Sequence, residues 1–366
     1  MFRTPLRLFL KSSSPNGVLT ETFLKSSLVT PKRIIHTILL LLILLLLVGL
    51  ITLSTGAGTI SFSPLIKLLS AVGPNSKSSL DSTEATILFS IRLPRVLFAG
   101  IVGAALSSSG VIFQALLRNP LADPYILGIS GGAALGAVIG IIIGATFLPL
   151  GTTGLAFGGA LITIVLIFTV SRTKSDHPNN TLLLTGVIIN AFFSALIMFL
   201  VSTSSSDRLH SVFFWLMGDL SLVEGNEILL TGITMLAGCL VMFMHARPLN
   251  LLTLGEETAL QLGVDTKRTK AILLVTASLV TAVAVSASGT IGFVGLIIPH
   301  MLRLMLGSDH RLLLPASVLF GASFLIVTDT IARTILAPIE LPVGVVTALC
   351  GAPYFIYLLH RRTISS

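Results

Sequence analysis

Apolar residues in this chain come in long unbroken runs, not in alternation with polar ones. The clearest run is Thr37 to Ser54 (TILLLLILLLLVGLITLS), which carries no charge. With Ile34 and Ile35 before it, this run reaches the ~20 residues that cross a hydrocarbon core. Lipid cannot satisfy open backbone N–H and C=O groups, so such runs must be helices. Ten spans are predicted, near 36–54, 94–117, 125–146, 151–171, 181–203, 227–246, 270–288, 293–306, 313–335 and 342–359. The fold class is an all-α integral membrane protein with ten transmembrane helices. An even number of spans returns both termini to one side.

Composition agrees with this pattern. The chain is 53% hydrophobic and 10% charged, whereas soluble domains carry about 25% charged residues. The net charge of +8 matters less than where it falls. With a cytoplasmic N-terminus, seventeen of the 23 Lys/Arg lie inside: Arg3, Arg7, Lys11, Lys25, Lys32, Arg33, Arg118, Arg172, Lys174, Arg247, Lys267, Arg268, Lys270, Arg303, Arg311, Arg361 and Arg362. Only Lys67, Lys77, Arg92, Arg95, Arg208 and Arg333 lie outside. That bias fixes the orientation. It assigns the charge to membrane topology and not to nucleic acid. Residues 1–35 read as a basic, Ser/Thr-rich cytoplasmic extension without fixed structure, and residues 36–362 as the membrane domain. No A-x-A cleavage site follows the first run, so that run reads as a retained span.

Three of the external arginines oppose the orientation signal. Arg92 and Arg95 stand at the mouth of the second span, and Arg333 at the end of the ninth. They read either as snorkelling helix-end residues or as a basic docking surface for an acidic external partner. Asp329 sits four residues before Arg333 on one helix face, which suggests a neutralised pair. A proton-relay role, as in an ion-coupled secondary carrier, is the alternative.

Glycines recur every four residues at Gly128, Gly132, Gly136, Gly140 and Gly144. That spacing predicts a small-residue ridge for close helix packing, and Gly154 and Gly158 extend the theme. A short internal similarity, Ser107–Ile112 against Ser286–Ile291, hints at an inverted repeat.

Catalytic signatures are missing. There is no G-x-x-x-x-G-K-[ST] phosphate loop, so ATP would bind elsewhere. The two cysteines, Cys239 and Cys350, read as small hydrophobes in helices, and the seven histidines are scattered. No catalytic residue and no metal site is expected. The polar internal loop 248–269 holds a predicted turn and short helix, with Leu254 and Gly255 leading into Glu256 and Glu257. Acids suit a helix N-terminus. Leu260, Leu262 and Val264 are expected to supply its apolar contacts, and Gly263 to end it. Such a helix is a lever that another protein could grip.

Five stretches in order carry a resemblance: RLPR (Arg92–Arg95), NPLADPYILGISGG (Asn119–Gly132), LGEETALQLGV (Leu254–Val264), GFVGLIIPHMLR (Gly292–Arg303) and LPVGVVTALCGAPYF (Leu341–Phe355). Together they resemble the FecCD-type permeases, membrane subunits of importers for iron–siderophores, haem and cobalamin. The resemblance implies a type II ABC importer architecture in the bacterial inner membrane, working as a homodimer with two ATP-binding cassette ATPase subunits. ATP and Mg would sit on those partners, with no cofactor in this chain. It implies a periplasmic or lipoprotein substrate-binding protein that docks on Arg92, Arg95 and Arg333 through acidic residues. It implies ATPase coupling through Leu254, Gly255, Glu256, Glu257, Ala259, Leu262 and Gly263. A cytoplasmic gate is implied at Asn179 and Asn180, with Asn119 and Leu121 as a second constriction. The cobalamin permease has smaller hydroxyl residues where Asn179 and Asn180 stand. The cargo implied is an iron(III)-siderophore or related metal chelate, with cobalamin as the alternative.

Overall fold

The computed structural model describes residues 30–56, 59–60, 86–145, 150–171, 178–221 and 225–364. Most of the predicted extension therefore lies outside the described residues. Thirteen α-helices lie among them. In order they are α1 (Pro31–Ser54), α2 (Leu93–Leu116), α3 (Ile129–Ile143), α4 (Gly151–Ser171), α5 (Pro178–Thr203), α6 (Ser206–Leu216), α7 (Gly225–Met244), α8 (Ala246–Thr253), α9 (Glu256–Gln261), α10 (Thr266–Ser288), α11 (Val294–Leu306), α12 (His310–Thr334) and α13 (Val343–Ile364). Each of the ten predicted spans has its helix. Seven are long and apolar enough to cross a membrane, while α3, α11 and α13 are shorter apolar helices. Beyond helices, the described residues hold a two-residue antiparallel ladder, Thr55–Gly56 with Thr59–Ile60.

The first helix starts earlier than the hydrophobic run does. Thr30 caps it by accepting from the Arg33 N–H, and Pro31 opens it. Proline fits the first helical position, where its missing N–H has no partner to lose. Lys32 and Arg33 thus belong to α1 and not to the extension. The second span enters α2 through a π-turn, Ile87–Arg92, just before Pro94, which cannot donate to the carbonyl one turn back.

Helix α2 is the hub. Its span is mostly buried inside the protein, whereas the window of α1 is not buried at all. Against α2 pack α12, α10, α11 and α7. The approach is close because glycines meet. A Cβ on Gly110 would run into the backbone of Gly295, and one on Gly103 into that of Gly321. Buried serines tie the same faces together. Ser107 donates to the Ser317 carbonyl at 2.7 Å and Ser109 to that of Ala277 at 3.2 Å. Small residues and interhelical hydrogen bonds are what hold helices together when lipid removes the hydrophobic drive.

Three irregular segments meet inside the bundle. The Asp219 N–H donates to the Ser288 carbonyl (2.9 Å), Thr290 to Trp215 (3.4 Å) and Val343 to Gly218 (3.1 Å). Non-helical backbone at membrane depth survives only where protein or a wet cavity satisfies it. The internal similarity does not survive as structure. Ser107–Ile112 lies within α2, while Ser286–Ile291 runs off the end of α10. The helix ends at Gly289, whose positive φ leaves the helical region and whose missing Cβ lets the Trp215 carbonyl come close.

Candidate functional site

The end of the bundle predicted to be external gathers α1, α2 and α12. Arg95 is buried at 8% exposure. Its Nε donates to both carboxylate oxygens of Asp329, at 3.1 and 3.2 Å, and its Nη2 to Oδ1 at 3.0 Å. Its Nη1 reaches Glu340 Oε2 at 2.8 Å. Arg333 stands 3.7 Å from the same Asp329 carboxylate and donates to the Thr52 carbonyl at 3.3 Å. Arg92 donates to the Leu53 carbonyl at 3.2 Å. The sequence paired Asp329 with Arg333 alone. The structure makes Arg95, 234 positions away, its principal partner. Both oxygens of Asp329 accept from arginine, so Asp329 is a paired carboxylate and not a lone one. Arg95 and Arg333 come together on Asp329 as one network, while Arg92 is held on the Leu53 carbonyl.

The opposite end holds the predicted lever, built as two helices where the sequence suggested one. Helix α8 packs Ala246, Leu249 and Leu252 inward. Gly255 precedes α9, Glu256 and Glu257 open it, and Gly263 follows Leu262 at its end. Ala259 is the buried residue of α9, with Val264 packed against the core. Leu260 and Leu262 do not make the expected inward contacts. With Leu254 they are more than half exposed, because a six-residue helix buries one face and Ala259 occupies it. Glu256 pairs with Lys270 of α10.

This lever is tied to α12. The Asn250 Nδ2 of α8 donates to Asp309 at 2.8 Å, and its Oδ1 accepts from the His310 N–H at 2.9 Å. Asp309 also caps α12, accepting from the Arg311 N–H at 3.0 Å. Hydrogen bonds from the Arg311 side chain hold the Asp309 carboxyl down at about 2. Asp309→Ala should therefore cost about 1 kcal/mol, read as a fall in thermal midpoint. A lowered pKa means the contribution is full above about pH 4 and fades as pH drops toward 2. The difference between wild type and variant should shrink over that window.

The gate residues fall on two elements. Asn119 accepts from the Leu121 N–H at 2.9 Å in the turn after α2. Arg118 anchors that turn to the Leu252 carbonyl of α8 at 3.1 Å. Asn179 and Asn180 fall in the first turn of α5, and their side-chain surroundings lie outside the described residues. The glycine ridge splits in two. Gly132, Gly136 and Gly140 face α4, whereas Gly128 and Gly144 cap the ends of α3 with positive φ. In α4 it is Gly159 that meets Gly132, while a Cβ on Gly158 would meet nothing within 4 Å.

Sequence reading missed α6 and what it encloses. A cavity of about 420 Å³ lies among Tyr125, Ser130, Asn190, Ser194, Phe213 and Thr290. Arg208 of α6 donates to the Ile141 carbonyl at 2.9 Å and to that of Ile142, closing the end of α3. No local signal pointed to this contact, since Arg208 lies in the first turn of α6, 66 positions from Ile142. Among the described residues, no three His, Cys, Asp or Glu side chains gather where they could hold a metal ion.

The pattern of the FecCD transport family matches residues 42–361. The chain belongs to the FecCD transport family. The permease is 44% identical over 282 residues to the cobalamin import system permease protein BtuC of Halobacterium salinarum, covering 77% of this chain and 75% of that one. It is also 44% identical over 283 residues to the hemin transport system permease protein HmuU of Yersinia pestis, covering 75% and 84%. A solved structure described as an inward-facing conformation of a metal-chelate type ABC transporter superposes with a TM-score of 0.77. It shares 34% identity and covers 91% of the permease and all of its own chain. The permease is thus the membrane-spanning subunit of an ABC importer.

Proposed function

We propose that this permease carries an iron(III)-siderophore or related metal chelate inward across the bacterial inner membrane. The observation that carries the reading is the match to a metal-chelate type transporter along 91% of the chain. Both termini face the cytoplasm, in keeping with the distribution of lysine and arginine. The working unit is a homodimer with two ATP-binding cassette ATPases, which bind the nucleotide, and a separate substrate-binding protein. Carboxylates of that protein dock on the Arg92–Arg95–Arg333 end. The ATPases grip the exposed leucines Leu254, Leu260 and Leu262 in and beside α9 together with the Gly255–Gly263 segment. Motion enters there and passes to α12 through the Asn250 bonds to Asp309 and His310. Asn119, Leu121, Asn179 and Asn180 close the passage on the inner side. The cavity is walled mostly by apolar side chains such as Ile197, Met198, Val201 and Leu216, with a few neutral polar groups, and such a wall suits a cargo that must be released again. The 44% identity to a cobalamin permease favours cobalamin as the second reading.

Reconstitution in vesicles tests this. With its ATPase and binding protein, the permease should accumulate ferrichrome, haemin or cyanocobalamin only when ATP is supplied. Accumulation by the permease alone under an ion gradient would overturn the proposal.

A further inference from the structure

The Arg95 guanidinium is not open to an incoming partner. Its inner edge is held by Asp329, whose side chain is 2% exposed, and its remaining edge by Glu340, whose side chain is 47% exposed. The two acids therefore differ in kind. Asp329 is a fixed structural counter-ion, whereas Glu340 is a rim group on the loop between α12 and α13. That loop also carries Ile335, Leu336 and Ile339, each more than half exposed. The Leu341 N–H donating to the Ala332 carbonyl at 3.0 Å holds it against the arginines.

We infer that Glu340 is an exchangeable occupant of Arg95, replaced by a carboxylate of the binding protein when the two proteins dock. The inference rests on the docking role proposed above. Charge gives the direction. Among the described residues the acids paired with this cluster are Asp329 and Glu340, so three arginines meet two carboxylates and the surplus positive charge attracts an acidic surface. The partner's carboxylate can then take the Nη1 donor while Glu340 swings into water at modest cost, because it is half exposed already. Ile335, Leu336 and Ile339 would be covered in the same step. An apolar ring that excludes water strengthens the charge pair it surrounds. Glu340 thereby keeps a buried arginine satisfied between docking events and lowers the net affinity, which favours release.

Binding is measured with the permease and its ATPase in nanodiscs and the substrate-binding protein in solution. Glu340→Gln should tighten docking roughly 2–5-fold, the scale of a half-exposed ion pair. In the absence of partner, the same variant should speed phenylglyoxal modification of Arg95, followed by peptide mass spectrometry. Ile339→Ser should weaken docking several-fold. Unchanged or weaker docking of Glu340→Gln would overturn the exchange, since Glu340 would then be idle or a direct contact. Unchanged docking of Ile339→Ser would give the apolar ring to the lipid surface and remove it from the proposal. Arg92→Glu separates the two levels. If it docks like wild type, the docking role itself falls and the exchange falls with it. If it loses docking, a failure of Glu340→Gln counts against the exchange alone.

Discussion

Asp329→Ala should destabilise the permease by about 3–5 kcal/mol, the usual cost of breaking a buried ion pair from one side. Three hydrogen bonds from Arg95 end on this carboxylate, and Arg333 stands 3.7 Å away. Removing it leaves two arginine side chains, each about 10% exposed, facing one another. They repel, and among the described acids only the half-exposed Glu340 is left to balance them. Thermal unfolding in detergent should show a large fall in midpoint, with poor membrane yield. Asp329→Leu combined with Arg95→Leu should recover part of the loss, because it removes one of the two uncompensated charges and leaves Arg333 alone. A carrier mechanism predicts a different split. The single variant would then fold like wild type, and only uptake would fail. An unchanged midpoint for Asp329→Ala would therefore remove the structural role argued here.

This cluster also marks where sequence reasoning stops. The ten spans were legible because lipid leaves a long apolar run no choice but a helix. Even the short α3 and α11 and the short apolar part of α13 were found, since their apolar content exceeds what a loop tolerates. Pairings were not legible. The helical spacing suggested Arg333 as the partner of Asp329, because only i, i+4 neighbours can be read locally. Arg95 comes from another helix, and its approach depends on Gly103 and Gly321 allowing α2 and α12 to close together. Helix α6 escaped because SDRLHSVFFWL mixes charge with apolar residues and is too short to span. Leu260 and Leu262 read as packing residues from their side chains alone. On a helix of six residues, the face that turns inward is decided by Ala259 and the neighbouring turns. The exposure of those leucines is itself informative, since it leaves an apolar surface at the end of the bundle where a partner is expected.

The glycine pattern of α3 gives the second large effect, and a graded one. Gly132→Val should cost about 3 kcal/mol or more, with Gly136→Val close behind. A Cβ on Gly132 would overlap the Thr163 hydroxyl and the Gly159 carbonyl, and one on Gly136 the Leu155 carbonyl. Carbonyls belong to the backbone of α4 and cannot rotate away, so the two helices must separate along their whole contact. Thr163 is fixed as well, donating to the Gly159 carbonyl at 2.9 Å. Gly140→Ala should be far milder, since its nearest neighbours lie at 3.2 Å and one is the end of the Leu155 side chain. Gly158→Ala, with nothing within 4 Å, should be neutral or slightly stabilising through helix propensity. Thermal midpoints of the four variants in one detergent give the ranking. The four-residue period alone would place Gly132, Gly136 and Gly140 on one level. An equal loss at all three would mean that the period, and not the backbone contact, carries the packing. The geometry instead concentrates the cost where glycine touches a carbonyl, because there no side chain exists to absorb the added carbon.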